Sequence, residues 1–171
     1  MSTKENRQVA HEEIDYIFQD LLLGRGLPPR PEQIALSHRM LDAMLDGRIA
    51  LCDAGTGIGK TLAYLVAGVA VSHHLPGMGP IIISTSSIAL QQAAQREYLP
   101  LLSEALLEAG MIWSHLEAVV RKGKAHYVCD WRLERRLVQA NLERKNPQAA
   151  AALLALRKRL IFQADIHVHR L

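Results

Sequence analysis

A glycine-rich stretch near the middle of the chain has the residue types and spacing needed to bind a phosphate chain. Its glycines let the backbone curl so that successive amide groups point at phosphate oxygens. Lys60 is placed to reach the β- and γ-phosphates and the Thr61 hydroxyl to hold Mg²⁺, so these two are the candidate catalytic residues. We expect the whole loop to bind a nucleoside triphosphate and Mg²⁺; its residues are Ala54, Gly55, Thr56, Gly57, Ile58, Gly59, Lys60 and Thr61.

The segments on either side of this loop predict the elements that would position it. Residues 49–52 form an apolar run flanked by turn residues, as in a buried strand of a parallel sheet, and residues 61–71 predict an apolar helix. Residues 81–83 predict a second buried strand and residues 117–121 a short third one. Strand, helix and strand in this order form a right-handed crossover, so the sequence predicts an α/β fold with a parallel sheet flanked by helices.

Helical periodicity accounts for most of the remaining chain. The predicted helices cover residues 8–23, 31–44, 89–109, 130–143 and 147–162. The second of these helices is expected to end at Gly47, and the third is expected to be interrupted near Pro100. Asn146 is the candidate cap ahead of Pro147. The sequence therefore adds a helical C-terminal segment to the predicted sheet domain.

Length and composition are those of one ordinary globular domain. The chain has 171 residues, of which 49% are hydrophobic and 22% charged, so it can bury a core and disorder is not expected. Two cysteines are too few for a disulfide framework. Neither an export signal nor an apolar run long enough for a membrane span is visible. We therefore expect a cytoplasmic protein without a membrane partner.

Positive charge is concentrated in the last third of the chain, although the net charge is only +3. Between residues 121 and 136, six basic side chains face two acidic ones, and residues 157–159 form a second basic cluster. Such clusters are either solvated helix faces or contacts to a polyanion, and the composition leaves both interpretations open.

The phosphate loop departs from the strict pattern at one position, because Ala54 stands where the first glycine is usual. With its flanks, in the stretch LCDAGTGIGKTLAYL, the loop resembles motif I of the DinG/XPD-type superfamily-2 DNA helicases. The resemblance extends over residues 30–134 and implies a RecA-like first domain that binds ATP. It also implies 5′ to 3′ translocation on single-stranded DNA, with ATP closing the cleft against a second RecA-like domain of the same chain.

Three further segments resemble this family in the same order. Residues 30–33 resemble its adenine-reading element, which makes Arg30 and Gln33 candidate nucleotide contacts. Residues 81–92 resemble motif Ia, and residues 122–129 resemble the segment leading into the first cysteine of an iron–sulfur insertion. The residues that the resemblance assigns to nucleic acid are Thr85, Ser86, Gln91, Lys122 and Lys124. Helix capping is the alternative for the hydroxyl residues at 84–87.

Cys129 is the candidate ligand of a [4Fe–4S] cluster, which needs four thiolates. Cys52 is not expected to contribute, since it lies on the predicted strand before the phosphate loop, where a free cysteine is usually a small hydrophobe. Cys129 is therefore either the first ligand of a cluster completed beyond Leu171 or part of a degenerate insertion that binds no metal.

The histidines give weaker signals. His167 and His169 share one face of an extended segment but lack a third ligand, so no metal site is assigned to them. His73 and His74 follow a predicted helix and are expected to lie in a solvated C-terminal turn.

The family completes its Mg²⁺ site with an Asp-Glu-x-His motif, which does not occur in this sequence. The expected organisation is a helical segment at residues 1–29, part of a RecA-like domain at 30–121 and the start of the iron–sulfur insertion at 122–171. We therefore expect a monomeric N-terminal portion of a longer helicase that does not unwind DNA by itself.

Three alternatives stay open. The first is a CRISPR-associated helicase of the same type, with a vestigial cluster domain and an RNA-guided complex as its partner. The second is a P-loop ATPase of another class, for which residues 30–33 would be a coincidence. The third is a standalone nucleotide- or DNA-binding module that regulates rather than unwinds.

Overall fold

The computed structural model describes residues 3–75, 77–121, 128–143 and 147–168, which form helices joined by turns and extended segments. The α-helices of these residues are α1 Thr3–Tyr16, α2 Pro31–Leu45, α3 Lys60–His74, α4 Ile88–Ala93, α5 Leu99–Glu108, α6 Asp130–Glu143 and α7 Pro147–Val168. The chain divides into two compact units, Met1–Val120 and Arg121–Leu171. The three-segment organisation expected from the sequence stays a prediction.

Helix α3 is the centre of the first unit. Its sequence is apolar on almost every face, and ten of its residues, from Thr61 to Val71, are buried. A helix of this kind is stable only with neighbours on several sides. Helices α1 and α2 both pack against it, and Ile81 lies over Gly68 in its middle. Large buried side chains from the surrounding helices complete the core: Ile14, Ile17, Phe18, Leu22, Leu41, Leu102 and Leu106.

Helix α1 continues into a π-helical segment, Ile17–Leu22, and together they form the helix predicted at residues 8–23. Ile17 and Leu22 are buried, and the segment packs against α5. Arg25 strengthens the same contact through ion pairs to Glu104 at 3.4 Å and Glu108 at 2.7 Å. The N-terminal helix is therefore part of the core of the first unit.

The helix predicted at residues 89–109 is confirmed, but its expected interruption takes another form. Helix α4, a second π-helical segment at Ala94–Tyr98 and helix α5 follow one another without a gap. Pro100 lies in the first turn of α5, directly after the π-helical segment. The proline therefore coincides with a change of helix type rather than with the end of the helix.

The predicted parallel sheet is wrong: the described residues contain no strand. Residues 49–52, 81–83 and 117–121 have the apolar side chains of buried strands, but no backbone ladder joins them. A strand exists only through hydrogen bonds to a neighbouring strand, and apolar composition does not supply one. Ile49 and Leu51 are 94% and 97% exposed, and Ile82 is 87% exposed. The α/β, RecA-like fold expected from the sequence is therefore replaced by a helical one in this part of the chain.

The second unit contains α6 and α7, which pack against each other. Leu133 and Leu137 are buried on one face of α6, and Arg157 Nε lies 2.8 Å from a carboxylate oxygen of Glu134. Both helices were predicted, although α7 extends to Val168; the predicted cap Asn146 lies outside the described residues. Within the ranges described, no helix is both long enough and apolar enough to span a membrane.

Candidate nucleotide site

The phosphate loop leads directly into the N-terminus of α3. Gly57 and Gly59 have φ angles of 84° and 87°, a left-handed backbone that glycine adopts without strain. Gly59 is the N-cap of α3, and Lys60 is its first residue. This 15-residue helix directs its first amide groups and the positive end of its dipole towards the space beyond the loop. The residues present therefore fit a bound triphosphate chain.

Lys60 folds back over its own loop. Its Nζ donates hydrogen bonds to the carbonyl oxygens of Ala54 at 2.9 Å and Gly55 at 2.7 Å. The side chain is exposed, so a phosphate oxygen can reach the ammonium group and replace either carbonyl oxygen as its hydrogen-bond acceptor. Thr61 is buried in the first turn of α3, next to the lysine.

Helix α2 supports the loop from the other side. Arg30 is the N-cap of α2 and donates to the carbonyl oxygen of Gly57, while Gln33 Nε2 donates to the carbonyl oxygen of Gly59 at 2.7 Å. Gln33 is 6% exposed, and a Cβ atom at Gly59 would collide with its amide group. The two residues assigned to adenine by resemblance therefore lie against the phosphate loop; their contact with a base stays a prediction.

Ser37 lies one helical turn beyond Gln33 and forms a second hydrogen bond between α2 and α3. It was not predicted from the sequence. Its fully buried Oγ donates to the carbonyl oxygen of Ala63 at 3.0 Å. The signal that could have identified it is its spacing: residues four apart lie on the same face of a helix. Hydrogen bonds from Gln33 and Ser37, one helical turn apart on α2, therefore hold α2 against the start of α3.

The hydroxyl residues expected to contact DNA lie just before and at the start of α4. Ser87 is the N-cap, and its Oγ accepts a hydrogen bond from the amide of Leu90 at 3.2 Å. Thr85 Oγ1 accepts from the amide of Ser87 at 3.1 Å. Ser86 is exposed and Gln91 is half-buried. The capping alternative is confirmed for Ser87, whereas DNA contacts by Thr85, Ser86 and Gln91 stay predictions.

In the described part of the second unit, an exposed tryptophan and an arginine lie side by side on α6. Trp131 is 67% exposed, and the guanidinium carbon of Arg135 lies 5.3 Å from its ring centroid. This distance is that of a cation–π contact. Trp131 was not predicted as a site residue from the sequence. The pattern that could have identified it is an aromatic residue at the start of a helix rich in basic residues. Lys122 and Lys124, which were predicted to contact DNA, lie outside the described residues.

Cys129 is exposed directly before α6, and its carbonyl oxygen accepts from the amide of Leu133 at 2.9 Å. Cys52 is half-buried in the segment before the phosphate loop, in the first unit. A [4Fe–4S] cluster needs four thiolates. Among the residues that the structure describes, no group of three or more metal-ligating side chains converges. Whether Cys129 is the first ligand of such a cluster therefore stays a prediction.

His73 and His74 lie in the last turn of α3 as expected, with His73 exposed and His74 half-buried, but both rings also contact α1. The two carboxylate oxygens of Glu13 each lie 2.6 Å from a histidine nitrogen, Nδ1 of His73 and Nε2 of His74. The hydrogen bond to Glu13 raises the pKa of His73. Burial alone would raise the pKa of Glu13, but its bonds to the two histidines outweigh burial and lower it.

Comparison with known proteins relates about two thirds of the chain to helicases. It is 35% identical over 109 residues to the ATP-dependent DNA helicase YoaA of Escherichia coli (strain K12), which covers 64% of this chain and 15% of that protein. It is 32% identical over 122 residues to the ATP-dependent DNA helicase YoaA of Haemophilus influenzae, covering 71% of this chain and 17% of that protein.

A third relative has a different name. The chain is 30% identical over 109 residues to the 3'-5' exonuclease DinG of Bacillus subtilis (strain 168), which covers 64% of this chain and 11% of that protein. The chain therefore spans less than a fifth of the length of these curated relatives. No family model and no solved structure matches it. These identities make this chain a relative of the DinG-type helicases.

Proposed function

We propose that this chain is the ATP-binding portion of a DinG-type DNA helicase. The observation that carries the proposal is the phosphate loop, with left-handed glycines at 57 and 59 and Lys60 at the start of α3. The YoaA relatives are named ATP-dependent DNA helicases, which supports the same nucleotide and the same class of substrate.

Each residue of the loop has a defined part in binding the triphosphate. The amide groups of the loop and of the first turn of α3 donate to phosphate oxygens, and Lys60 neutralises charge on the β- and γ-phosphates. Arg30 and Gln33 donate hydrogen bonds to the carbonyl oxygens of Gly57 and Gly59 and so support the backbone of the loop. Thr61 would hold Mg²⁺, which supplies neutralisation of the phosphate charge when it is bound.

In the whole protein we propose that ATP turnover drives 5′ to 3′ movement along single-stranded DNA, with a second domain of the longer chain closing over the nucleotide. The direction rests on the family resemblance alone. The loop of this chain supplies the phosphate contacts, and the sequence has no Asp-Glu-x-His motif of the kind that completes the family's Mg²⁺ site.

Replacement of the loop lysine tests the nucleotide site. We expect Lys60→Ala to weaken binding of Mg²⁺-ATP by at least about tenfold, because a charge-assisted contact to phosphate is lost. The measurement is titration calorimetry of the 171-residue chain with a slowly hydrolysed ATP analogue. Lys158→Ala, at an exposed lysine of α7, is the matched control and should bind as the unaltered chain does. Undiminished affinity in Lys60→Ala would overturn the proposal.

The surface of α6 supports a role in binding single-stranded DNA. Trp131 presents an aromatic face, Arg135 stacks on it, and Arg132 and Arg136 are exposed on the same helix. Aromatic side chains among basic residues bind single strands by stacking on bases while cations contact phosphates. The exposed tryptophan supports a polyanion contact, rather than a solvated basic face, for this part of the chain.

The two tryptophans of the chain make this interface directly measurable. With Trp113→Phe, the remaining Trp131 should lose fluorescence when oligothymidylate is added; with Trp131→Phe, the remaining Trp113 should not. Trp131→Ala should weaken DNA binding by about fivefold or more, as expected for the loss of one stacked base. Trp113 is 98% exposed and serves as the control. Equal quenching of both tryptophans would contradict a specific stacking site on α6.

A further inference from the structure

Two histidines face each other where α1 and α2 pack together, and we call them the histidine pair. The Nδ1 atoms of His11 and His38 lie at a hydrogen-bonding distance of 2.6 Å, and the ring centroids are 4.7 Å apart. A carboxylate lies on the far side of each ring: His11 Nε2 is 3.0 Å from Asp42, and His38 Nε2 is 2.8 Å from Asp15. The four side chains therefore form a continuous row of hydrogen bonds from one aspartate to the other.

This row follows from an equal spacing on the two helices. His11 and Asp15 are four residues apart on α1, and His38 and Asp42 are four residues apart on α2, so each helix has a His and an Asp on one face. These faces meet, and each histidine reaches the aspartate of the other helix. Every hydrogen bond of the row therefore joins α1 to α2.

The hydrogen-bonding capacity of these groups determines how many protons the row needs. An ionised carboxylate accepts hydrogen bonds but does not donate them, so both Nε2 atoms must carry a proton. The contact between the two Nδ1 atoms needs one further proton, which one ring donates and the other accepts. The row is therefore complete when the histidine pair consists of one imidazolium and one neutral imidazole.

The charges around the histidine pair favour the same state. The charged side chains that ion pairs connect to the row are the carboxylates of Asp15, Asp42 and Asp46 and the guanidinium groups of Arg7 and Arg48. Among these, the carboxylates exceed the guanidinium groups by one, so a single proton on the histidine pair makes the cluster neutral. His73 and His74 of α3, which also contact α1, pair with Glu13 instead.

We propose that His11 and His38 share one proton, and that this proton makes the contact between α1 and α2 depend on pH. Without it, two lone pairs oppose each other between the Nδ1 atoms, or one ring turns a lone pair towards its aspartate. With a second proton, two N–H groups and two cations face each other. The contact is therefore strongest with one proton and weaker on both sides of that state.

Solvent can supply and remove the proton. Both histidine side chains are 24% exposed, and a surface cavity borders His38. Histidine ordinarily changes its charge near about pH 6.5, so all three protonation states are accessible between mildly acidic and mildly alkaline pH.

The histidine pair contacts the helix that supports the phosphate loop. Helix α2 is bonded to the start of α3 through Gln33 and Ser37, and His38 is the next residue. A strong contact with α1 fixes α2 from its second side. We therefore expect the ATP affinities of the unaltered chain and of His38→Gln to differ most near about pH 6.5. This expectation rests on the proposed function, whereas the shared proton does not.

Nitrogen NMR of the unaltered 171-residue chain tests the shared proton directly. Near about pH 6.5, both Nε2 atoms should be protonated, and the two Nδ1 atoms should couple to one common proton. If both Nδ1 atoms carry their own proton at this pH, or neither carries one, the proposal is wrong. Failure of the chain to bind ATP would contradict the proposed function but leave this NMR result unchanged, so the two failures are distinguishable.

Thermal unfolding of His11→Gln, His38→Gln and the double variant provides a second test. Each single variant should unfold about 3 °C or more below the unaltered chain near pH 6.5, with smaller differences near about pH 5 and pH 8. The double variant should lose little more than either single one, because each replacement already breaks the shared contact. His115→Gln, at a histidine that contacts Ser103 instead, is the control and should show no such maximum. Losses that are independent of pH, or that add in the double variant, would overturn the proposal.

Discussion

Single side chains far from the phosphate loop in sequence determine its shape. Gln33 is separated from Gly59 by 26 residues, yet its amide group fills the space beside that glycine and binds its carbonyl oxygen. Arg30 donates a hydrogen bond to the carbonyl oxygen of Gly57. Glycine suits both positions because the backbone is left-handed there, and at Gly59 a Cβ atom would also displace the Gln33 amide group.

Inorganic tripolyphosphate, which has no adenine ring, distinguishes support of the loop by Gln33 from contact of Gln33 with adenine. We expect Gln33→Ala to weaken binding of inorganic tripolyphosphate as well as ATP, because the loop loses the hydrogen bond to Gly59 that supports its conformation. Titration calorimetry with both ligands measures this. If ATP affinity falls while tripolyphosphate affinity is unchanged, Gln33 acts on the adenine ring instead. Gln91→Ala, at a half-buried glutamine of α4, is the control.

At the scale of elements, helices were predictable from this sequence and strands were not. Helix α3 is apolar on almost every face and has Gly59 at its start, so the local sequence pattern is sufficient to identify it. Residues 49–52 and 81–83 carry an equally clear apolar pattern, but a strand also needs a hydrogen-bonding neighbour, which no local pattern reports. The glycine-rich turn before α3 was likewise visible in the sequence, and its binding of phosphate stays a prediction. The support by Ser37 and the contact of Glu13 with α3 depend on how helices pack.

The contact between α1 and the C-terminus of α3 should make stability depend on pH. The pKa of Glu13 is lowered from 4.5, so its contribution is present above about pH 4.5 and is lost as the pH falls through the lowered value. The pKa of His73 is raised from 6.5, so its contribution is complete below about pH 6.5 and is lost as the pH rises through the raised value. The pair therefore stabilises the chain most between these two limits.

Replacement of Glu13 by glutamine tests this pH dependence of stability. Thermal unfolding of the unaltered chain and of Glu13→Gln should differ most between about pH 4.5 and 6.5, and the difference should shrink on both sides as the charge on His73 or on Glu13 is lost. Titration of other groups contributes to both proteins and cancels in the difference. His115→Gln, which removes a histidine that contacts Ser103 instead, should leave the pH profile unchanged. A difference that is constant across the range would contradict the assignment.

At the scale of the whole molecule, the two compact units have separate candidate roles. The phosphate loop and its supports lie in Met1–Val120, together with a core built from α1, α2, α3 and α5. The exposed Trp131 and its basic neighbours lie in Arg121–Leu171. The first unit is therefore the candidate for binding ATP, and it also holds the predicted DNA contacts Thr85, Ser86 and Gln91, whereas the second unit is the candidate for stacking on DNA bases.

A shortened chain of residues 1–120 tests this division. We expect it to give a helical circular dichroism spectrum and a cooperative unfolding transition, because its core residues all lie within this range. Its affinity for single-stranded DNA should be lower, and should fall less steeply with salt, than that of the full 171 residues, since fewer cations contact phosphates. Fluorescence anisotropy at several salt concentrations measures both. Equal affinity and equal salt dependence would assign DNA binding to the first unit.

The π-helical segment Ile17–Leu22 also determines where the chain can change in length. Hydrogen bonds in a π-helix span one residue more than in an α-helix, so the segment holds one extra residue between flanks that stay helical. A single deletion there can convert it to regular α-helix while Ile14 keeps its place in the core. The same deletion in α3 would rotate all later residues of that helix by about 100° and turn its packed faces away from their neighbours. Length differences among relatives should therefore collect at residues 17–22 and be excluded from α3.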